Sequence, residues 1–239
     1  MRIIITTYDE HRNILEANKY MMDKFGGADL DVTILGFKKP DFDMGSWKFI
    51  SMGSYISANN FTNDIMPFFH DFNDEYFILG NDDVVLTDRF NGEFLSKIIE
   101  IVKEIPNFGR MWLTQTPLDF YSGGTIIKTF GDYYIAEINQ WADYRLSLQY
   151  SIWKMSYFKK YLLPNLSPWE WELRDDAKYD GAAILLPINN FVVNFGHIMK
   201  KGVMLDNWHK SIYGKGELCD DDIKAIKNIF VKHKIGNYK

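Results

Sequence analysis

Three consecutive β-branched residues, Ile3-Ile4-Ile5, lead into the polar step Thr6-Thr7-Tyr8-Asp9, after which the apolar spacing changes. An unbroken apolar run is what a strand covered on both faces of a parallel sheet needs. Ile14, Ala17, Met21 and Phe25 then recur at the spacing that puts them on one face of a helix. Asp9 is the expected N-cap of that helix, and Gly26-Gly27 its stop. The same succession repeats downstream. Further strands are expected at 32–37, 48–52 and 76–79, and helices at 62–72 and 93–105. Pro67 should kink or restart the first of these helices, and Pro106 closes the second. Strand alternating with helix is the pattern of a wound α/β domain.

From residue 108 to 153 the texture changes. Aromatic and hydroxyl residues are interleaved with Gly123-Gly124 in short segments that read as antiparallel strands and loops. Helical spacing returns at 156–163 and is stopped by Pro164. A strand is expected at 191–195 and a last helix at 220–233. With 239 residues, 46% of them apolar, there is material for one generous domain. We read residues 1–239 as that domain, with a nucleotide-binding half over 1–105 and an acceptor-binding half over 106–239.

Charge and cysteine count remove several function classes. A net charge of −5 argues against a general nucleic-acid binder, which needs concentrated basic surface to displace counterions from phosphates. One cysteine, Cys219, excludes an intrachain disulfide framework and a cysteine-based zinc cluster. No apolar run reaches the roughly 18 residues of a spanning helix. The expected location is therefore cytoplasmic, with any membrane association peripheral.

The strongest chemical signal is Phe77-Ile78-Leu79-Gly80-Asn81-Asp82-Asp83, a buried strand running into two acids. Ligands of open α/β sheets bind at the C-terminal ends of strands. In extended backbone Asn81 and Asp83 share a face and Asp82 points away. Asn81 there suits a ribose hydroxyl, and Asp83 a hard divalent cation on a diphosphate. An ordinary solvated acidic turn has the same composition. The second signal is Trp169-Glu170-Trp171-Glu172. Indoles offer stacking faces to sugars, and a carboxylate desolvated among them is pushed towards the pKa range of a general base. The competing reading is a helix start, with Ser167 as N-cap, Pro168 at the first position and an acid in the first turn. His197, after a strand and a glycine, is placed to complete a metal site with Asp83. His209, among Lys200, Lys201, Lys210 and Lys215, suits a lid or a phosphate contact. His11 and His233 read as solvated helix faces. No GxGxxG or GxxxxGK[ST] follows the first strand, so dinucleotide and P-loop readings lose their usual support.

The order strand–TTYDEHR–helix, then EYFILGNDD, SLQYSIWKMSYFKKYLL and PWEWE, resembles the GT-A-like glycosyltransferases of bacterial surface-polysaccharide loci, phages and large DNA viruses. The resemblance covers about residues 2–175 and is best at 76–86 and 147–172. It implies a GT-A-like wound, mostly parallel sheet flanked by helices, with a small antiparallel acceptor region. It also implies a nucleoside diphosphate sugar as donor and a glycan as acceptor. Thr6, Thr7, Tyr8, Asp9 and Arg12 would line the nucleotide pocket, with Asn81, Asp82 and Asp83 as the acidic motif. Glu172 or Glu170 would be the acceptor-activating base, Glu172 preferred. Gln149 and Trp153, with Trp169 and Trp171, would shape the sugar pocket. A divalent cation, Mn²⁺ or Mg²⁺, would sit on Asp83 and His197. The motif is Asn-Asp-Asp and not Asp-x-Asp, a departure that bears on metal use. Two other classes compete. A sugar-1-phosphate nucleotidyltransferase normally carries a Gly-rich basic loop after its first strand, which TTYDEHR lacks. A non-catalytic glycan-binding module would use tryptophans as platforms and ignore nucleotides.

Overall fold

The computed structural model describes residues 1–26, 30–114, 123–131, 133–188, 193–200, 203–205, 212–213 and 218–236. In chain order the elements are β1 (Ile3–Thr6), α1 (Leu15–Phe25), β2 (Val32–Gly36), β3 (Lys48–Ser51), α2 (Phe61–Asp71), β4 (Tyr76–Asn81), β5 (Val84–Leu86) and α3 (Gly92–Glu104). They continue with β6 (Phe108–Trp112), β7 (Gly124–Phe130), β8 (Tyr133–Ile138), β9 (Ser151–Lys154), α4 (Met155–Tyr161), α5 (Pro168–Glu172) and β10 (Ala183–Ile188). Last come β11 (Phe195–His197), β12 (Met199–Lys200), β13 (Val203–Met204), β14 (Ile212–Tyr213) and α6 (Asp220–His233). The fold is the expected α/β type.

The chain forms two compact units, each assembled from separated segments. One holds residues 2–51, 81–90 and 193–239, and the other Met1, 52–80 and 91–192. In the first unit β1, β2 and β3 are parallel neighbours, with Ile3 opposite Val32 and Thr33 opposite Lys48. Ile3, Ile4 and Ile5 are buried, as their β-branched run requires. Gly36 is fixed by packing, since a Cβ there would meet Thr7 Cγ2 at 2.8 Å. A second sheet pairs β5 with β11 and β11 with β14, both antiparallel.

The second unit carries the interleaved aromatic stretch. β9 lies antiparallel to both β4 and β6, β6 runs parallel to β10, and β8 is antiparallel to β10 and β7. α2 runs through Pro67, so of the expected kink or restart the restart does not occur. Its core is aromatic. Phe158 stacks within 4.4 Å of Phe69 and 4.9 Å of Trp171, and Trp153 stands 5.1 Å away. Gly80, at the end of β4, is where the Tyr150 ring crosses the strand, and a Cβ there would lie 2.5 Å from that ring.

The expectation for the first helix needs correcting. α1 starts at Leu15, with Ile14 at its N-cap and no side-chain cap. Residues 8–14 form turns closed by His11 N–H donating to Tyr8 O and Ile14 N–H to His11 O. Asp9 accepts instead from the Lys38 backbone N–H at 3.0 Å and pairs with Lys38 Nζ. Of the expected strand at 191–195 only Phe195 is in a strand, β11 at Phe195–His197; Val193 and Asn194 are not, and residues 191–192 lie outside the described ones. α6 has the expected bounds. Among the described residues no helix is long and apolar enough to cross a membrane.

Candidate functional site

The acidic motif forms the tight turn from β4 to β5, and two other segments of its unit hold it. Asn18 on α1 is fully buried, and its side-chain amide donates to Asp82 O at 3.0 Å. The backbone N–H groups of Ile198 and Met199 donate to Asp83 O at 2.8 and 3.3 Å. β11 continues this clamp by pairing His197 with Val84. The turn's two carbonyls are thereby fixed, and the two carboxylates are presented from a rigid base.

Each carboxylate faces an imidazole. His11 Nδ1 lies 3.6 Å from Asp82 Oδ2, and His197 Nδ1 lies 3.9 Å from Asp83 Oδ2. Asp82 is buried, whereas Asn81 and Asp83 are half-buried; the extended backbone expected through the motif ends at Asn81, and Asp82 and Asp83 lie in the turn. Burial alone would lower the pKa of His11. The Asp82 carboxylate, with Asp83 and Glu10 nearby, outweighs that and raises it. His11 was read from sequence as a solvated face, and nothing in its local pattern marks a partner 71 positions away.

Beside His11 the same unit has a half-open pocket of about 540 Å³, lined by the turn Asp9–Asn13, Met199, Met204 and residues 233–236 at and beyond the end of α6. That volume is in the range of small-molecule sites. Arg12 crosses its rim, donating to Asp9 O at 2.7 Å and to Asp41 at 2.9 Å. Thr6 and Tyr8 are half-buried at the end of β1. Thr7 is buried, and its backbone N–H donates to Leu35 O. His233 is not solvated either; it pairs with Glu16 on α1.

In the other unit the Trp-Glu segment is α5, and the helix-start reading describes Glu170. Ser167 and Glu170 form a reciprocal capping box with Pro168 at the first position. Those hydrogen bonds from Ser167 hold the Glu170 carboxyl below the usual range. Glu172 differs. It is half-buried and accepts from the Leu148 backbone N–H at 2.7 Å. Burial raises its pKa more than Leu148, Ser147 and the Arg110 guanidinium lower it. The charge nearby is Arg110; Arg174, two residues on, pairs with Asp176.

The indole platform needs correction. Trp153 and Trp171 are both 0% exposed within the aromatic core, so neither ring has a face open to a sugar. Trp169 is exposed and Gln149 half-buried. Lys201, His209, Lys210 and Lys215 lie outside the described residues, as does the side chain of Lys200.

Asp83 and His197 would offer one oxygen and one nitrogen ligand, a set that suits Mn²⁺ better than the oxygen-preferring Mg²⁺. Among the described residues no three His, Cys, Asp or Glu side chains gather as a metal site. Two protein ligands fit a cation that takes its remaining ligands from substrate phosphates and water, the usual arrangement at phosphate sites.

No family model matches the chain, and no curated protein matches it. Among solved structures it is similar to S. aureus TarS 1–349 in complex with UDP-GlcNAc: 12% identity, 97% of this chain, 66% of that one, TM-score 0.53. Against S. aureus TarS 1–349 the figures are 11% identity, 97% and 65% coverage, and TM-score 0.52. A weaker likeness is to the mannosyltransferase PcManGT from Pyrobaculum calidifontis in complex with GDP-Man and Mn²⁺: 13% identity, 66% and 45% coverage, TM-score 0.42. The chain spans less than half of the mannosyltransferase's length and about two-thirds of the TarS fragment's. At these identities the likeness shows the fold alone, and that fold is of the GT-A type.

Proposed function

We propose that the chain transfers a sugar from a nucleoside diphosphate sugar to a hydroxyl of a glycan. The observation that carries this reading is the clamped Asp82-Asp83 turn with an imidazole on each carboxylate, beside an open pocket of about 540 Å³ in the same unit. Thr6, Tyr8, Asp9 and Arg12 take the nucleotide, with Asn81 on the ribose. Asp83 and His197 hold the divalent cation, which when bound neutralises charge on the departing diphosphate. A general base, for which Glu172 is the candidate, accepts the proton of the acceptor hydroxyl as that hydroxyl's oxygen bonds to the sugar's anomeric carbon. The bond from that carbon to the diphosphate breaks, and the nucleoside diphosphate leaves with the electron pair. Glu170 is committed to its helix cap and is the weaker candidate.

The test is a calorimetric titration with UDP-, GDP- and dTDP-sugars, with and without Mn²⁺. We expect one nucleotide to bind and Mn²⁺ to tighten it. If none of them binds under either condition, the reading is wrong.

A further inference from the structure

We propose that Trp141, Tyr144 and Tyr179 form a carbohydrate-binding surface on the second unit. The three rings are exposed at 50%, 36% and 72%. They stand on two adjoining turns, joined by Tyr179 N–H donating to Gln140 O and by Lys178 pairing with both Asp143 and Asp175.

The first argument is conformational. Tyr144 and Tyr179 have φ of +57° and +56°, in the left-handed region where a Cβ crowds the following carbonyl. The other described non-glycine residues with positive φ are Asn165, a residue type that tolerates it, and Lys234, the cap of α6. Glycine or asparagine would serve both turns at lower cost. At Tyr179 burial of the ring does not offset the strain, because that ring faces solvent. Strain of this kind persists where the surroundings over-determine it, and it gathers at ligand sites.

The surroundings do over-determine it. Arg145, buried beneath the turns, donates to Ala177 O at 2.6 Å, Ala182 O at 2.7 Å, Asp180 at 3.0 Å, and Asn139 O and Gln140 at 3.3 Å. Asp180 in turn accepts from Tyr161 Oη at 2.7 Å. The rings therefore stand on a fixed base, which lowers the entropy lost on binding.

Chemistry selects the ligand. The rings are interleaved along the chain with the polar residues Gln140, Asp143, Asp175 and Lys178. An aromatic face for sugar C–H groups beside the exposed Asp143 and Asp175 carboxylates, which can accept from hydroxyls, fits a glycan better than an apolar helix. The same segment runs on to Leu148, whose N–H is held by Glu172. Assigning this glycan as the acceptor rests on the glycosyl-transfer reading, but the surface itself does not.

The experiment is capture of the purified chain on a printed array of neutral and acidic oligosaccharides, for wild type, Trp141→Ala, Tyr144→Gly and Tyr179→Gly. Wild type should bind at least one glycan class, and each variant should lose about tenfold or more. Thermal unfolding is read on the same samples. Both glycine variants should rise by roughly 1–4 °C, the relief of strain less glycine's greater unfolded-state freedom. No capture by wild type, or capture unchanged in the variants, overturns the proposal. A fall in Tm for both glycine variants overturns the strain argument on which it stands. Nucleotide-sugar binding without glycan capture sinks this proposal alone. Glycan capture without nucleotide binding sinks the transfer reading and leaves a glycan-binding module.

Discussion

Glu172 has the double character expected of a working carboxylate: a raised pKa from burial and a firm hydrogen bond from Leu148 N–H. Glu172→Gln keeps an acceptor oxygen for that N–H but cannot take a proton. The expected loss is on the order of 10²–10⁴-fold in turnover with unchanged nucleotide affinity. Full turnover in the variant removes Glu172 from the chemistry. The pKa shift also predicts a stability effect with a definite sign. The folded carboxyl holds its proton at a pH where the unfolded one has lost it, so wild type loses stability as pH rises above the ordinary glutamate value. Glu172→Gln should therefore gain on wild type in denaturant midpoint between pH 4 and 7. A gap that stays constant with pH refutes the linkage. At Asp83 the expectation is that Asp83→Ala abolishes the tightening of donor binding by Mn²⁺, read by calorimetry. Unchanged affinity with Mn²⁺ present excludes it as a ligand.

Elements differ in how much of them was readable, and the difference follows from the range of the interactions that set them. α5 is local throughout: Ser167, Pro168 and Glu170 stand at cap spacing, and the capping box forms as that spacing implies. Ser167→Ala should cost about 1 kcal/mol by denaturant unfolding. α6 was readable too, though the role of its acids was not. Asp222 turns inward, pairing with Lys24 Nζ at 2.7 Å and accepting from Tyr20 Oη at 3.1 Å, both on α1. Burial raises the Asp222 pKa, but Lys24, the Cys219 thiol and Tyr20 outweigh it and lower it. A depressed carboxylate stabilises the fold above its unfolded value and loses that contribution as pH falls through the folded value. Asp222→Asn should thus be destabilised at pH 7, by roughly 1–3 kcal/mol, and converge with wild type below pH 4. The start of α1 was misread because Asp9 has cap chemistry, and only the fold shows that Lys38 claims it.

At the scale of the whole chain, alternation of apolar period announced the α/β class, since it needs only neighbours in sequence. The candidate site is less legible because it is built from segments far apart. His11 meets Asp82, Asp83 meets His197, and the cavity joins residues 9–13 to 233–236. The two units follow the same logic, interleaving along the chain where sequence texture suggested two consecutive halves. This arrangement makes a prediction that no single mutation tests. If the cavity and the clamped turn take the nucleotide, binding should slow amide exchange in three separated stretches at once: residues 6–13, 81–86 and 232–236. A ligand at 100 times its dissociation constant stabilises by about 2.7 kcal/mol, so amides that open only by global unfolding should slow by about a hundredfold everywhere. Amides that open locally should slow only where the ligand sits. Exchange measured by mass spectrometry with the best-binding nucleotide distinguishes these. Local protection confined to residues 139–182 would place the nucleotide on the aromatic turns instead and defeat the assignment. Protection in the three stretches together would be hard to obtain from any site that did not use both ends of the chain.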